Sequence, residues 1–344
     1  MKQYGILVVD DSAFMRRAIS LMLEEDPRFF VAGIARNGVE AVEKVHRLKP
    51  DLVTMDIEMP EMNGLEALER IMKSTPVPVV MISSRTGEGA LETLQALALG
   101  AVDFFLKENL IRNRNGEIQS KEFLNRLIGI VEAKIPPILP SVHLHKNEVS
   151  HGNRPCTDLI FIGCSTGGPK ALQTILPSFS KDFPIPIVVA QHMPPGFTKH
   201  LAERFNTLCQ LEVKEAKNDQ EVNPGTIYIC PSGYQTRLEK ENKTILFKVE
   251  NHDDVHELYK PSIDITLSSA APIYRDRLLS VILTGMGMDG TKGCSLVKKY
   301  HGKVFVEAED SCIVYGMPKA VLEAGYADGQ YELSGIYQKI VSSI

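Results

Sequence analysis

Twice along this chain, short apolar runs alternate with segments whose apolar residues recur at helical spacing. That alternation leaves few folds open. Strands joined in succession through helices run parallel, and a parallel sheet needs helices on both faces to cover it. In the first stretch the pattern predicts strands at 4–9, 31–35, 51–55, 77–82 and 103–106. The intervening and closing helices fall at 12–23, 38–48, 64–73, 89–99 and 121–134, with Ser12 as cap of the first. The second stretch predicts strands at 158–163, 185–190, 278–283 and 304–306, and helices at 170–179, 196–206, 263–271, 290–300 and 319–324. Its middle, 211–249, differs in texture. Short β segments at 226–230, 236–239 and 245–249 read as an insertion, the last two flanking the turn Glu241-Asn242-Lys243.

Between the stretches, Ile135-Pro136-Pro137-Ile138-Leu139-Pro140 stops any helix, because each proline removes a backbone donor. A polar run with His143, His145 and His151 follows, and without a Cys or acidic companion these histidines read as solvated chain. The expectation is α/β throughout: two doubly wound parallel-sheet domains, 1–134 and 154–344, joined by a linker at 135–153. The first is flavodoxin-like, the second Rossmann-like with a β insertion. A net charge of -5 offers no broad basic surface for nucleic acid. No run approaches the roughly 20 apolar residues that a membrane-spanning helix needs, and Met1–Asp11 lacks the features of a signal peptide. A cytoplasmic protein without membrane insertion is expected, a monomer being the simplest state. Its six cysteines, scattered without a Cys-x-x-Cys pair, read as reduced thiols.

In the first domain Asp10 and Asp11 end the first strand and Asp56 the third, so three carboxylates border the crevice where such sheets bind ligands. They repel one another unless a hard dication such as Mg²⁺ sits among them. Ser83 ends the fourth strand and supplies a hydroxyl, and Lys107 follows the fifth and supplies a cation. Each residue alone is an ordinary loop-end polar group; together they suit an aspartate that accepts a phosphoryl group. Over about residues 1–125 this pattern resembles the receiver domain of two-component response regulators. The matching segments are Val8-Val9-Asp10-Asp11-Ser12, Met55-Asp56-Ile57-Glu58-Met59-Pro60, Asn63-Gly64, Met81-Ile82-Ser83 and Phe105-Leu106-Lys107. The resemblance implies that Asp56 is the phosphoacceptor and that Asp11, Asp56 and the Glu58 carbonyl hold Mg²⁺, with Asp10 assisting through water. Phe104 falls at the switch aromatic and, lacking a hydroxyl, signals by packing alone. Where receivers carry Pro after the lysine, this chain has Glu108, so a trans bond and a differently shaped loop are expected.

In the second domain Gly163-Cys164-Ser165-Thr166-Gly167-Gly168 follows a strand and opens a helix, fitting the G-x-S-x-G turn that presents a serine hydroxyl. A Gly-rich phosphate-binding turn competes, although the G-x-G-x-x-G pattern is absent. A serine nucleophile needs a base, and of nine histidines His192 is the one directly after a strongly apolar strand. His200 and His301 fall in or at the end of helices. The acid that orients the imidazole is expected at a third strand end, where Asp289 lies; Asp253, Asp254, Asp264 and Asp276 lack that placement. Ser165, His192 and Asp289 can therefore meet at one rim of one sheet.

Residues from about 155 to 344 resemble the catalytic domain of chemotaxis protein-glutamate methylesterases. The matching segments are Ile162-Gly163-Cys164-Ser165-Thr166-Gly167-Gly168, Gln191-His192-Met193-Pro194, Lys260-Pro261-Ser262-Ile263-Asp264, Leu283-Thr284-Gly285-Met286-Gly287-Met288-Asp289-Gly290 and Tyr315-Gly316-Met317-Pro318. With the receiver in front, the resemblance covers nearly the whole chain. Cys164 stands where this family often has Ala, and Ser165 is retained as nucleophile because a residue beside an exposed nucleophile normally faces the other way. The resemblance implies hydrolysis of glutamate γ-methyl esters, and deamidation of particular glutamines, on methyl-accepting chemoreceptors. It also implies a chemotaxis histidine kinase as phosphodonor. Backbone N–H groups near Thr166 or Met286 are the candidate oxyanion donors. The unphosphorylated receiver is expected to cover the catalytic rim, and phosphorylation to draw in Ser83 and Lys107, repack Phe104 and loosen that cover. The rivals are a response regulator with a DNA-binding output, which needs a helix-turn-helix and a basic face, and a pseudo-enzyme that only binds a partner.

Overall fold

The computed structural model describes residues 2–84, 87–110, 116–133, 157–251 and 259–344. The expected linker at 135–153, Cys156, Asp253 and Asp254 lie outside the described residues. The chain divides into two compact units, Met1–Ala133 and Lys134–Ile344.

In the first unit β1 (Tyr4–Val9), β2 (Phe29–Ala35), β3 (Leu52–Asp56), β4 (Val79–Ser83) and β5 (Asp103–Leu106) form a parallel sheet in the order β2-β1-β3-β4-β5. β1, β3 and β4 are buried along their whole length, which is why their sequences are mostly apolar and show no polar alternation. Three helices open on side-chain caps: Ser12 accepts from Met15 N, Asn37 from Glu40 N and Asn63 from Glu66 N. The closing helix spans Gly116–Glu132, so it begins five residues earlier than its apolar period suggests. Strand order reverses between β1 and β3, and the crevice at their C-terminal ends is bordered by Asp10, Asp11 and Asp56.

Gly64 lets the helix Gly64–Ser74 start directly against that rim. A Cβ there would sit 2.0 Å from the Asp56 carbonyl oxygen, a backbone atom that cannot swing aside. Gly64→Ala is expected to destabilise this unit by about 1–3 kcal/mol, read as a lower urea midpoint.

In the second unit β6 (Leu159–Cys164), β7 (Ile187–Gln191), β8 (Glu212–Glu215), β9 (Thr226–Ile229), β12 (Leu278–Ile282), β13 (Lys303–Glu307) and β14 (Gly329–Tyr331) form a parallel sheet. Their order is β14-β13-β12-β6-β7-β9-β8. The antiparallel hairpin β10 (Gln235–Glu241) and β11 (Thr244–Glu250) closes on Asn242-Lys243, with Asn242 at φ 56°.

The insertion is therefore smaller than the sequence pattern implies. β9 is not part of it: its buried residues pair in parallel with β7 and β8. β8 carries only four residues with exposed Glu212 and buried Val213, the texture of an edge strand, and it escapes a search for apolar runs. Beyond residue 324 the unit continues through β14 and a helix at Leu333–Val341, which buries Ile336 and Ile340. Three residues are too few for β14 to show a period.

The core gathers Phe161, Val188, Tyr228, Phe247, Leu267 and Ile282. The helix Ile263–Tyr274 is apolar nearly all round because it is buried nearly all round. Among the described residues no helix is long and apolar enough to cross a membrane.

Candidate functional site

In the first unit, one oxygen from each of Asp10, Asp11 and Asp56 lies within 4.8 Å of the others. Asp10 and Asp56 are buried and Asp11 is exposed. Lys107 Nζ donates to Asp56 Oδ2 at 2.7 Å and lies 3.6 Å from Asp10 Oδ2. Burial pushes the Asp56 carboxyl up to about 7, with the Asp10 charge adding to the rise and the Lys107 ammonium only partly offsetting it. Burial opposes the charge on Lys107, yet Asp56 and Asp10 outweigh it and hold its pKa above the usual value. Asp10 Oδ2 is buried and accepts no hydrogen bond among the described residues. A convergent set of carboxylates, one with an orphaned oxygen, fits a hard dication with oxygen preference.

Glu58, Ser83 and Lys107 line the same small cleft as Asp56. Ser83 Oγ lies 2.7 Å from Thr93 Oγ1 and 3.2 Å from the Gly89 carbonyl. Phe104 is buried on β5. The bond from Lys107 to Glu108 is trans, and Lys107–Leu110 forms a helical turn directly after β5.

In the second unit, Ser165, His192 and Asp289 follow β6, β7 and β12, the three adjacent strands at the centre of the sheet. The chain leaves β6 toward β7 and returns to β12 on its other side, which opens a crevice at these C-terminal ends. Cys164 pairs with Gln191, so Ser165 and His192 emerge side by side. His192 N donates to the Cys164 carbonyl at 3.1 Å and Ser165 N to the Thr284 carbonyl at 3.0 Å. Gly285 makes the third approach possible, since a Cβ there would lie 2.8 Å from Ser165 Cβ.

His192 Nε2 is 2.8 Å from Asp289 Oδ2, both side chains being 7% exposed. Asp289 is saturated with donors. Oδ2 also accepts from Ile263 N at 2.7 Å, while Oδ1 accepts from Asp264 N at 2.8 Å, Gly290 N at 3.0 Å and Ser262 Oγ at 3.2 Å. Burial opposes ionisation of Asp289, but the His192 and backbone hydrogen bonds outweigh it and hold the carboxyl below its usual range. Its seat is the N-terminus of the helix Ile263–Tyr274, where orphan N–H groups and the helix dipole favour an anion. His192 Nδ1 is buried and makes no hydrogen bond among the described residues.

Cys164 is fully buried, its thiol donating to Gln191 Oε1 at 3.0 Å, and burial raises its pKa well above the usual value. A thiolate there is disfavoured. Thr166 is buried and Met286 half-buried beside the same rim.

Both units resemble known proteins. A model described as response regulator receiver domain matches residues 6–113, and one described as CheB methylesterase matches residues 160–340. A protein-glutamate methylesterase/protein-glutamine glutaminase from Thermotoga maritima is 44% identical over 98% of both chains. One of the same description from Archaeoglobus fulgidus is 43% identical, over 93% of this chain and 92% of its own. The crystal structure of the Thermotoga maritima CheB methylesterase catalytic domain matches at a TM-score of 0.53 and 45% identity, covering 55% of this chain and 99% of that one. The chain belongs to the CheB methylesterase family.

Around Ser165, His192 and Asp289 stand residues to which the sequence alone assigns no role. Gln191 Nε2 donates to the carbonyls of Ser165 and His192, at 3.0 and 2.9 Å, tying the two strand ends together. Buried Gln235, on the hairpin, accepts from Ser262 N and donates to the Tyr259 carbonyl, both at 2.8 Å. The Tyr259 ring stacks on His192 with centroids 4.1 Å apart and planes at 12°. Glu307, at the end of β13, accepts from Thr284 N at 2.8 Å, and burial pushes its carboxyl up to about 7. Only the place of Gln191, at a strand end beside His192, carries any signal in one dimension.

Proposed function

We propose that this chain is a phosphorylation-activated serine hydrolase that removes methyl groups from chemoreceptor glutamates and deamidates particular glutamines. Ser165 is the nucleophile, His192 the base and Asp289 the acid that orients it. The observation that carries the assignment is the hydrogen bond from His192 to a saturated, ionised Asp289 at the rim where Ser165 emerges. Asp289 accepts at Oδ2, so Nε2 holds the imidazole proton and Nδ1 keeps the lone pair. The two ring nitrogens thus exchange the roles they have in serine proteases.

Ser165 Oγ attacks the γ-carbonyl carbon of the glutamyl ester as Nδ1 takes its proton. The oxyanion is met by backbone N–H groups near Thr166 or Met286. The imidazolium returns its proton to the leaving oxygen and methanol departs. Water, deprotonated by the same nitrogen, then attacks the acyl carbon; the C–O bond to Ser165 breaks, and the imidazolium returns its proton to Ser165 Oγ as the glutamate is freed. A glutamine amide follows the same course, with ammonia leaving.

In the receiver, an Asp56 oxygen attacks the phosphorus of a phosphohistidine on the chemotaxis kinase, and the P–N bond breaks as the kinase imidazole leaves. Mg²⁺, when bound by Asp11, Asp56 and the Glu58 carbonyl with Asp10 assisting, would offset phosphoryl charge. Lys107, already paired with Asp56, stays beside the new phosphoryl group, and Ser83 turns toward it from Thr93. Phe104 repacks in response. The work takes place in the cytoplasm, on receptor segments exposed there.

Methanol release from methylated receptor membranes, with and without acetyl phosphate, tests the proposal. The phosphodonor is expected to raise the rate about 5- to 150-fold in the parent, the range of ordinary allosteric coupling, and to leave Asp56→Asn at its basal rate. Equal stimulation of both proteins would place control elsewhere; no methanol from either would end the hydrolytic assignment.

A further inference from the structure

We infer that Tyr259 is a positioning residue of the hydrolytic site, which fixes the plane of the His192 ring and favours its protonated form; this rests on His192 being the general base. Asp289 holds the imidazole at one point, Nε2, at 2.8 Å. A single hydrogen bond restrains the distance but leaves the ring free to swing about it. The near-parallel Tyr259 ring, 4.1 Å away and tilted by 12°, removes that freedom by covering one face.

The stack also discriminates between charge states. The face of a phenol carries negative potential, which attracts an imidazolium strongly and a neutral imidazole weakly, more so where water is excluded. His192 carries the positive charge only as Ser165 or water is deprotonated, so the interaction is stronger in the transition state than in the resting enzyme.

Tyr259 is held by the same support as the acid. Buried Gln235 donates through Nε2 to the Tyr259 carbonyl and accepts through Oε1 from Ser262 N, each at 2.8 Å. Ser262 Oγ in turn donates to Asp289 Oδ1 at 3.2 Å. One side-chain amide thereby registers the aromatic ring against the carboxylate on the edge of the imidazole. A Cβ on Gly287 would lie 3.9 Å from the Tyr259 hydroxyl oxygen, so the phenol reaches back to the loop that carries Asp289. Among the described residues the charged group bonded to the ring is Asp289, from the loop after β12, and next to it lies Asp264, whose N–H donates to Asp289 and whose carboxylate accepts from Gly293 N at 2.7 Å. Substituting Tyr259 leaves both in place.

The test follows methanol release by the full chain against pH, for the parent, Tyr259→Phe, Tyr259→Leu and Tyr259→Trp. Tyr259→Leu is expected to lower kcat about 5- to 30-fold with KM within about twofold. The base works neutral, so losing a group that favours its charged form should move the acid limb of kcat/KM to lower pH, by about 0.5–1 unit. Tyr259→Phe should keep both values, and Tyr259→Trp should move the limb upward. A limb unmoved in Leu, or a rise in KM alone, overturns the inference; if Leu does not fold, an unmoved limb in Trp does so. A parent without activity, or an active Ser165→Ala, would instead remove the hydrolytic reading beneath it.

Discussion

Ser165→Ala is expected to reduce methanol release by about 10⁴- to 10⁶-fold while leaving the fold and its stability as they are. The loss is large because the alcohol is the attacking atom, and without it His192 has no serine hydroxyl to deprotonate. The stability is spared because, among the described residues, Ser165 is tied in through its backbone alone. Its N–H donates to the Thr284 carbonyl, and its own carbonyl accepts from Gly168 N and Gln191 Nε2. Alanine keeps all three bonds. The neighbouring thiol offers no bypass, since Cys164 is buried, bonded to Gln191 and hard to ionise. Urea midpoints and receptor binding should therefore match the parent. A variant that kept more than about 1% of the activity would place the nucleophile elsewhere.

How far each residue could be read in advance follows from where its constraint is written. The strand ends are legible because a buried parallel strand must be an apolar run, and the first polar residue after it stands at the rim. Asp10, Asp56, Ser165 and His192 all announce themselves so, and Asp289 does through a glycine-rich loop. Supporting residues are not legible. Gln235 lies on a hairpin and Tyr259 in a connecting segment, 24 residues apart, and what makes them matter is a hydrogen bond that closes only in three dimensions. Gln191 looks like the last residue of a strand, with no hint that its amide spans two neighbours. Edge elements are lost for another reason. β8 alternates too briefly and β14 is too short to display any period, so the sheet read from sequence is narrower than the folded one.

Asp289→Asn separates the two jobs of the carboxylate, and the expected result is a loss of both rate and stability. Five donors converge on two oxygens: His192 Nε2 and Ile263 N on Oδ2, and Ser262 Oγ, Asp264 N and Gly290 N on Oδ1. An amide has one acceptor and two donors, so it satisfies only one side. With its NH₂ group toward Oδ1's partners, the backbone N–H groups of Asp264 and Gly290 face another donor. Leaving a buried donor unpaired costs about 1–3 kcal/mol. With NH₂ toward His192, Ile263 N loses its acceptor and the imidazole must accept at Nε2. The proton then resides on Nδ1, the one atom that has to be bare to receive the serine proton. A tautomer trapped in this way lowers kcat by about 10⁴-fold in a serine protease, and the same order is expected here, with KM little changed. The urea midpoint should fall as well, by the equivalent of about 1–3 kcal/mol. That combination distinguishes Asp289→Asn from Ser165→Ala, which loses rate alone. A folded Asp289→Asn within about tenfold of the parent rate would mean that His192 is oriented by something other than this carboxylate.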